Sequence, residues 1–251
     1  MLNIVIPMAG EGSRFKTAGY NDPKPLIKIN DKKMIEVVIN NIMPKTQHRF
    51  IFICLTQHLA ETTLFTTIKK NVKNAIVIAV DKKTRGAAET VLLAESHINN
   101  NSPLMIANCD QWVDINIDDY LSAAQSNGVD GMIMSMTAND KKWSYLKINC
   151  QGQVQEVREK EVISSEATVG IYNFKRGKDF CYAARKMIVE NRLSQGEFYV
   201  APVYNYLIKE KLACIDYYNI GEEFNGMYGL GIPEDLEKFV TSDIHLKATN
   251  F

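Results

Sequence analysis

Two glycines, two cations and one carboxylate are the residues in this chain best suited to chemistry. Gly10 and Gly12 follow directly on the apolar run Leu2–Met8, and Arg14 comes next. Lys24 stands ten residues further on, between Pro23 and Pro25. Glycine tolerates positive φ and lets backbone N–H groups come close to an anion. The Arg14 guanidinium is a planar fork of donors that matches phosphate oxygens. The prolines narrow the directions in which Lys24 can point. Two cations and free amides describe a cradle for a polyphosphate. Asp110 follows a second apolar run, Leu104–Asn108. A carboxylate at the end of a strand is placed to hold Mg²⁺, which takes one or two carboxylates and completes its shell with substrate phosphates and water.

The glycine stretch is neither of the common phosphate loops. GEGSRF lacks the third glycine of a dinucleotide fingerprint, and no G-x-x-x-x-G-K-[ST] follows. Lys and Arg number 29, as do Asp and Glu, so no overall positive field recruits nucleic acid or an anionic membrane. Any bound anion must be met by local charge. Cysteines 54, 109, 150, 181 and 214 form no CxxC or Cys/His metal spacing and no disulfide framework. Cys54 and Cys109 lie in apolar runs and read as buried thiols. The four histidines are scattered and read as surface or satisfied residues. The apolar start is too short to span a membrane and lacks the basic flank and cleavage site of a signal peptide. The cytoplasm is the expected compartment.

The elements that must position these groups alternate between strand and helix. Leu2–Met8, Phe50–Leu55, Ala75–Val80, Leu104–Asn108 and Gly131–Met136 read as buried strands. Met34–Ile42, His58–Lys70, Ala87–His97 and Asp118–Gln125 read as the helices between them. Continuous apolar strands joined by helices imply a mainly parallel sheet covered on both faces. After about residue 140, Trp143–Asn149 and Gln153–Arg158 flank a short turn and read as a hairpin. A strand over Ala167–Phe174, helices over Gly177–Asn191 and Tyr199–Glu210, and a strand over Leu212–Tyr217 follow. Pro233 opens the last expected helix, with Glu234 and Asp235 at its positive end.

PMAGEGSRF followed by DPKPLIKINDKKMIEVVI resembles the signature of the sugar-phosphate nucleotidyltransferases, or pyrophosphorylases. These read A-G-x-G-[ST]-R, then P-K, then an apolar run and M-I-E. RGAAETVLLA, ANCDQ, EKE, ATVGIYNF, QGEFYVAPVYNYLI and GLGIPEDLEKF extend the resemblance over nearly the whole chain. It implies an α/β, three-layer Rossmann-like fold with a mixed, mainly parallel sheet. It implies one domain over residues 1–251, with a nucleotide-binding half (1–140) and an acceptor-binding half (141–251).

Carried onto this chain, the resemblance implies nucleotide contacts at Met8, Ala9, Gly10, Gly12, Ser13, Arg14, Lys24, Gly86, Ala87, Ala88 and Asn108. Arg14 and Lys24 are the catalytic cations, and Asp110 holds Mg²⁺. Gln111, Glu159, Lys160, Gly170 and Glu197 fall on the acceptor side. Lys175, Arg176 and Lys178 join Lys160 as candidate contacts to the acceptor phosphate. Trp112, Trp143 and Tyr199 either line the acceptor pocket or pack in the core. The family often supplies a second metal-binding aspartate near the C-terminus. Gly229 stands there in this chain, which leaves Glu222, Glu223 and Asp235 as the nearby acids.

The implied reaction is nucleotidyl transfer: a phosphate monoester attacks the α-phosphorus of a nucleoside triphosphate, and pyrophosphate leaves. Asn108–Trp112 and Gly196–Tyr199 are similar to small nucleotidyltransferases of capsule and surface-polysaccharide clusters. That likeness implies CTP as donor and glutamine phosphate or a sugar 1-phosphate as acceptor. The expected partners are these small molecules, with no nucleic acid or membrane; a homo-oligomer is compatible with the sequence. A nucleotide-sugar-dependent glycosyltransferase is one alternative, but Asp110-Gln111-Trp112 offers no D-x-D motif. A catalytically silent regulatory relative is the other, opposed by Arg14, Lys24 and Asp110 and left open by Gly229.

Overall fold

A computed structural model describes all 251 residues. The strands are β1 (Leu2–Met8), β2 (Lys28–Ile29), β3 (Lys32–Lys33), β4 (His48–Leu55), β5 (Ile76–Val80), β6 (Leu104–Ala107), β7 (Gln111–Val113), β8 (Gly131–Thr137), β9 (Ser144–Ile148), β10 (Val154–Glu159), β11 (Glu166–Phe174), β12 (Ile215–Glu223) and β13 (Gly226–Gly229). All except β2 and β3 belong to one sheet, whose main path runs β5-β4-β1-β6-β11-β8-β12-β13-β7, with β9 and β10 branching from β11. β5, β4, β1 and β6 are mutually parallel. β11 runs antiparallel to both its neighbours, β6 and β8.

The apolar runs produce this sheet because both of its faces are buried. Along β1, Ile4, Ile6 and Met8 join a cluster with Phe50, Phe52 and the Met34–Asn41 helix residues Ile35, Val38 and Ile39. Val5, between them, points the other way into a cluster with Ile51, Ile106, Ala88, Val91, Phe180 and Ala184. The strand's period of two thus feeds two cores, one on each face. Burying one such Ile or Phe contributes about 1.5–3 kcal/mol, so a polar residue at either phase of β1 would cost stability. A third cluster packs Phe15, Trp112, Tyr228, Leu236 and Phe239 beside the opening loop.

The structure departs from the sequence reading at several breaks. The helix expected over His58–Lys70 is two helices, Thr56–Glu61 and Leu64–Asn71. The Thr62 hydroxyl donates to the His58 carbonyl and accepts from the Leu64 amide, which offers the backbone a turn in place of helix. Ala87–His97 likewise divides into Ala87–Leu92 and Glu95–Ile98. The helix expected from Tyr199 starts at Tyr204, behind a 3₁₀ turn at Ala201–Val203 that contains Pro202. The late strand is displaced to Ile215–Glu223, and a further helix, Ile244–Thr249, follows Pro233–Thr241. No helix is long and apolar enough to cross a membrane.

Candidate active site

β1 and β6 are parallel neighbours, so their carboxyl ends lie side by side, the edge where open α/β sheets take ligands. β1 ends at Met8 and delivers the glycine loop. β6 ends at Ala107 and delivers Asn108, Cys109 and Asp110. Gly12 has φ +63 and leads into the short helix Ser13–Thr17. Gly10 does not take positive φ, and a Cβ there would meet nothing within 4 Å. The positive-φ argument made for both glycines therefore holds for Gly12 alone. Gly10 keeps the strand end low and open.

Lys24 begins a 3₁₀ turn over Lys24–Leu26, with Pro23 before it and Pro25 inside it. Its ammonium donates to Asp110 Oδ2 at 2.8 Å. The two side chains are 24% and 23% exposed, so water screens this pair only in part. Burial opposes the charge on Lys24, but Asp110 and the buried Cys109 thiol outweigh it and hold the ammonium above the usual lysine range. Lys24 therefore stays cationic at neutral pH. Burial pushes the Cys109 thiol up to about 11, which makes it a poor nucleophile.

A cavity of about 410 Å³ opens over this edge. Met8, Ala9, Gly10, Arg14, Lys24, Gly86, Ala87, Asn108 and Asp110 line it. Gly12, Ser13 and Ala88 do not; Ala88 is fully buried behind it. Lys83, Thr84, Thr90, Glu197 and Tyr199 also line it, with Pro7, Pro25 and Cys109. The Gly86 segment is stitched to Phe198: the Ala88 amide donates to the Phe198 carbonyl and the Phe198 amide to Arg85. A Cβ on Gly86, at φ +144, would stand 2.4 Å from the Phe198 carbonyl oxygen. This close approach brings Glu197 into the first cavity, 3.3 Å from Lys83. Glu197 thus lines the first cavity, whereas the resemblance grouped it with Glu159 and Lys160, which line the second.

A second cavity, of about 270 Å³, adjoins the first. Arg14, Ala87, Asn108 and Tyr199 line both. Glu159, Lys160, Gly170 and Trp143 line the second, as do Lys142 and Ser144, which no motif in the sequence singled out. Lys160 donates to the Tyr199 hydroxyl at 3.1 Å and stands 5.3 Å from its ring centre. Burial raises the Glu159 carboxyl, and the hydrogen bond from Ser144 and the charge of Lys160 offset part of that rise. Trp143 and Tyr199 are wall residues, whereas Trp112 packs against Tyr228 and Phe239. Gln111 is buried behind Gly170, and its Nε2 has no partner.

Lys175, Arg176 and Lys178 line neither cavity. Because β11 is antiparallel to β6, Phe174 pairs with Leu104, so the residues after it leave at the opposite edge. Arg176 there pairs with Asp179 at 2.6 Å. Glu223 and Asp235 are also engaged: they face Lys142 at 2.5 and 3.8 Å. No three Asp, Glu, His or Cys side chains converge as a preformed metal cage. Asp110 stands alone, and a Cβ on Gly231 would fall 2.5 Å from its Oδ2. Glycine at 231 makes room for the carboxylate. One carboxylate beside a polyphosphate cradle fits the way Mg²⁺ is held. His58 was expected to be exposed or satisfied, yet it is buried with Nδ1 unpartnered.

Residues 4–198 match the nucleotidyl transferase family. The chain belongs to that family. It is 24% identical over 176 residues to the bifunctional protein GlmU of Methanococcus aeolicus, a match covering 69% of this chain and 40% of that protein. The chain thus spans well under half of that relative's length. Among solved structures it is similar to a nucleoside-diphosphate-sugar pyrophosphorylase from Vibrio cholerae RC9, with 27% identity and a TM-score of 0.79 over 95% of this chain and 100% of that one. It shares its fold with the inositol-1-phosphate CTP transferase of T. maritima, at 14% identity and a TM-score of 0.75 over 99% and 96% of the two chains.

Gly170 gives a test of how the second cavity is built. Its φ is +84, and a Cβ there would stand 2.2 Å from Asn108 Nδ2 and 2.6 Å from Gln111 Oε1. Gly170→Ala is expected to lower stability by about 1–2 kcal/mol from the left-handed backbone alone, with more from displacing the two amides. Gly10→Ala, which meets nothing, is expected to leave the urea midpoint unchanged.

Proposed function

We propose that this chain transfers a nucleoside monophosphate from a nucleoside triphosphate to a small phosphate monoester and releases pyrophosphate. The observation that carries this reading is the seam between the two cavities. Arg14 and Asn108 line both, so a donor phosphate on one side and an acceptor phosphate on the other would meet at the same groups. A 27%-identical, full-length structural neighbour described as a nucleoside-diphosphate-sugar pyrophosphorylase supports it.

The attacking group is already an anion, so no covalent enzyme intermediate is required. The protein's work is alignment and charge neutralisation. Lys24 and Arg14 face the triphosphate and offset charge that grows as pyrophosphate departs. When bound, Mg²⁺ would be held by Asp110 and would neutralise further charge on the phosphates. Lys160, beside Tyr199, faces the acceptor. Within this reading CTP is the preferred donor, and glutamine phosphate or a sugar 1-phosphate the acceptor. The product would feed capsule or surface-polysaccharide synthesis in the cytoplasm.

Pyrophosphate release should be measured with each of the four NTPs, Mg²⁺, and sugar 1-phosphates or glutamine phosphate. Release is expected with CTP and one acceptor. No release with any pair would overturn the enzymatic reading in favour of a silent regulatory relative. In the same assay Lys24→Ala should keep a wild-type circular dichroism spectrum and lose ~10²–10³-fold in turnover, the usual scale for one lost transition-state donor. Near-normal turnover would remove Lys24 from the catalytic assignment.

A further inference from the structure

Lys24 and a metal ion have claims on the same carboxylate. Asp110 Oδ2 accepts the Lys24 ammonium at 2.8 Å. The other acids nearby have cations of their own: Glu197, in the same cavity, stands 3.3 Å from Lys83, and Glu223 and Asp235 face Lys142. A dication approaching Asp110 would therefore meet a carboxylate that is already neutralised and bonded. The root of Lys24 is held: prolines flank it, and its Cβ would lie 3.4 Å from a Cβ at Gly12. Its ammonium is on the cavity wall beside Gly10 and Arg14, within the space where a polyphosphate would lie. A flexible stem with three rotatable donors allows the head to change partners while its base stays fixed.

We propose that Lys24 occupies the metal's place on Asp110 in the free protein and gives it up when a triphosphate arrives, so that metal binding waits for the nucleotide. This rests on the nucleotidyl-transfer reading. The exchange balances charge. The triphosphate takes the ammonium, Asp110 is released, and the incoming dication finds both the carboxylate and phosphate oxygens. By linkage, whatever the nucleotide does for the metal the metal does for the nucleotide. Arg14, which makes no ion pair, has no such second role and serves as the comparison.

The test is a titration with Mn²⁺ alone, followed by electron paramagnetic resonance, with no nucleotide or acceptor present. Lys24→Met is expected to bind Mn²⁺ about 10-fold or more tightly than wild type, within the usual range of site-to-site coupling. Asp110→Asn in that background should abolish the gain. Arg14→Met, which removes an equal charge but frees no carboxylate, should stay close to wild type. Equal affinity in wild type and Lys24→Met would overturn the proposal. So would an equal gain in Arg14→Met, or a gain that survives Asp110→Asn. Lys24→Gln, which leaves Asp110 a polar neighbour, answers the same question if Lys24→Met does not fold. Failure here would leave the pyrophosphate assay untouched, and failure of that assay would leave these affinities readable.

Discussion

The ion pair between Lys24 and Asp110 ties together chain stretches 86 residues apart. It exists because β1 and β6 are parallel neighbours in the sheet. A strand inserted between them, or a reversal of either, would separate the glycine loop from the acid. The two buried faces of the sheet fix that adjacency. Side chains of β1 alternate into two different cores, so a slip of one residue would misplace every one of them. The site's charge geometry is in this sense a consequence of core packing several residues below it.

The seam between the cavities follows from a second constraint, the antiparallel insertion of β11. It brings the Gly170 carbonyl onto the Asn108 amide at 3.0 Å and leaves no room for a side chain at 170. The hairpin of β9 and β10 branches from the same strand and supplies Ser144 and Glu159 to the second cavity. Cations border both cavities, while the acids near the second are held by partners: Glu159 by Ser144, Glu223 and Asp235 by Lys142. Arg14, which makes no ion pair, lines both cavities at the seam.

Much of this was legible in the sequence where the cause is local. β1 falls on the expected residues because its apolar run is buried on both sides. The glycine loop, Lys24 and Asp110 could be named because glycine, proline-flanked lysine and a strand-end acid each carry chemistry in their type. What stayed hidden depends on contacts distant in sequence. Glu197 and Tyr199 join the first cavity through the approach of Gly86 to Phe198, which no local pattern encodes. β7 and β13 are short, and Gln111 finds its partner Gly229 more than a hundred positions away. Lys175, Arg176 and Lys178 fall outside the two cavities because an apolar strand does not announce its direction; once β11 runs antiparallel, its end lies at the opposite edge of the sheet.

The central claim is a direct transfer across the seam, with no covalent nucleotidyl-enzyme. The stereochemical course at the α-phosphorus tests it most directly. With a donor chiral at that phosphorus through sulfur substitution, paired with whichever acceptor supports turnover, a single in-line displacement is expected to give inversion. Retention would mean two successive displacements through a residue of this chain, and would contradict a site built only to align two phosphates and neutralise their charge.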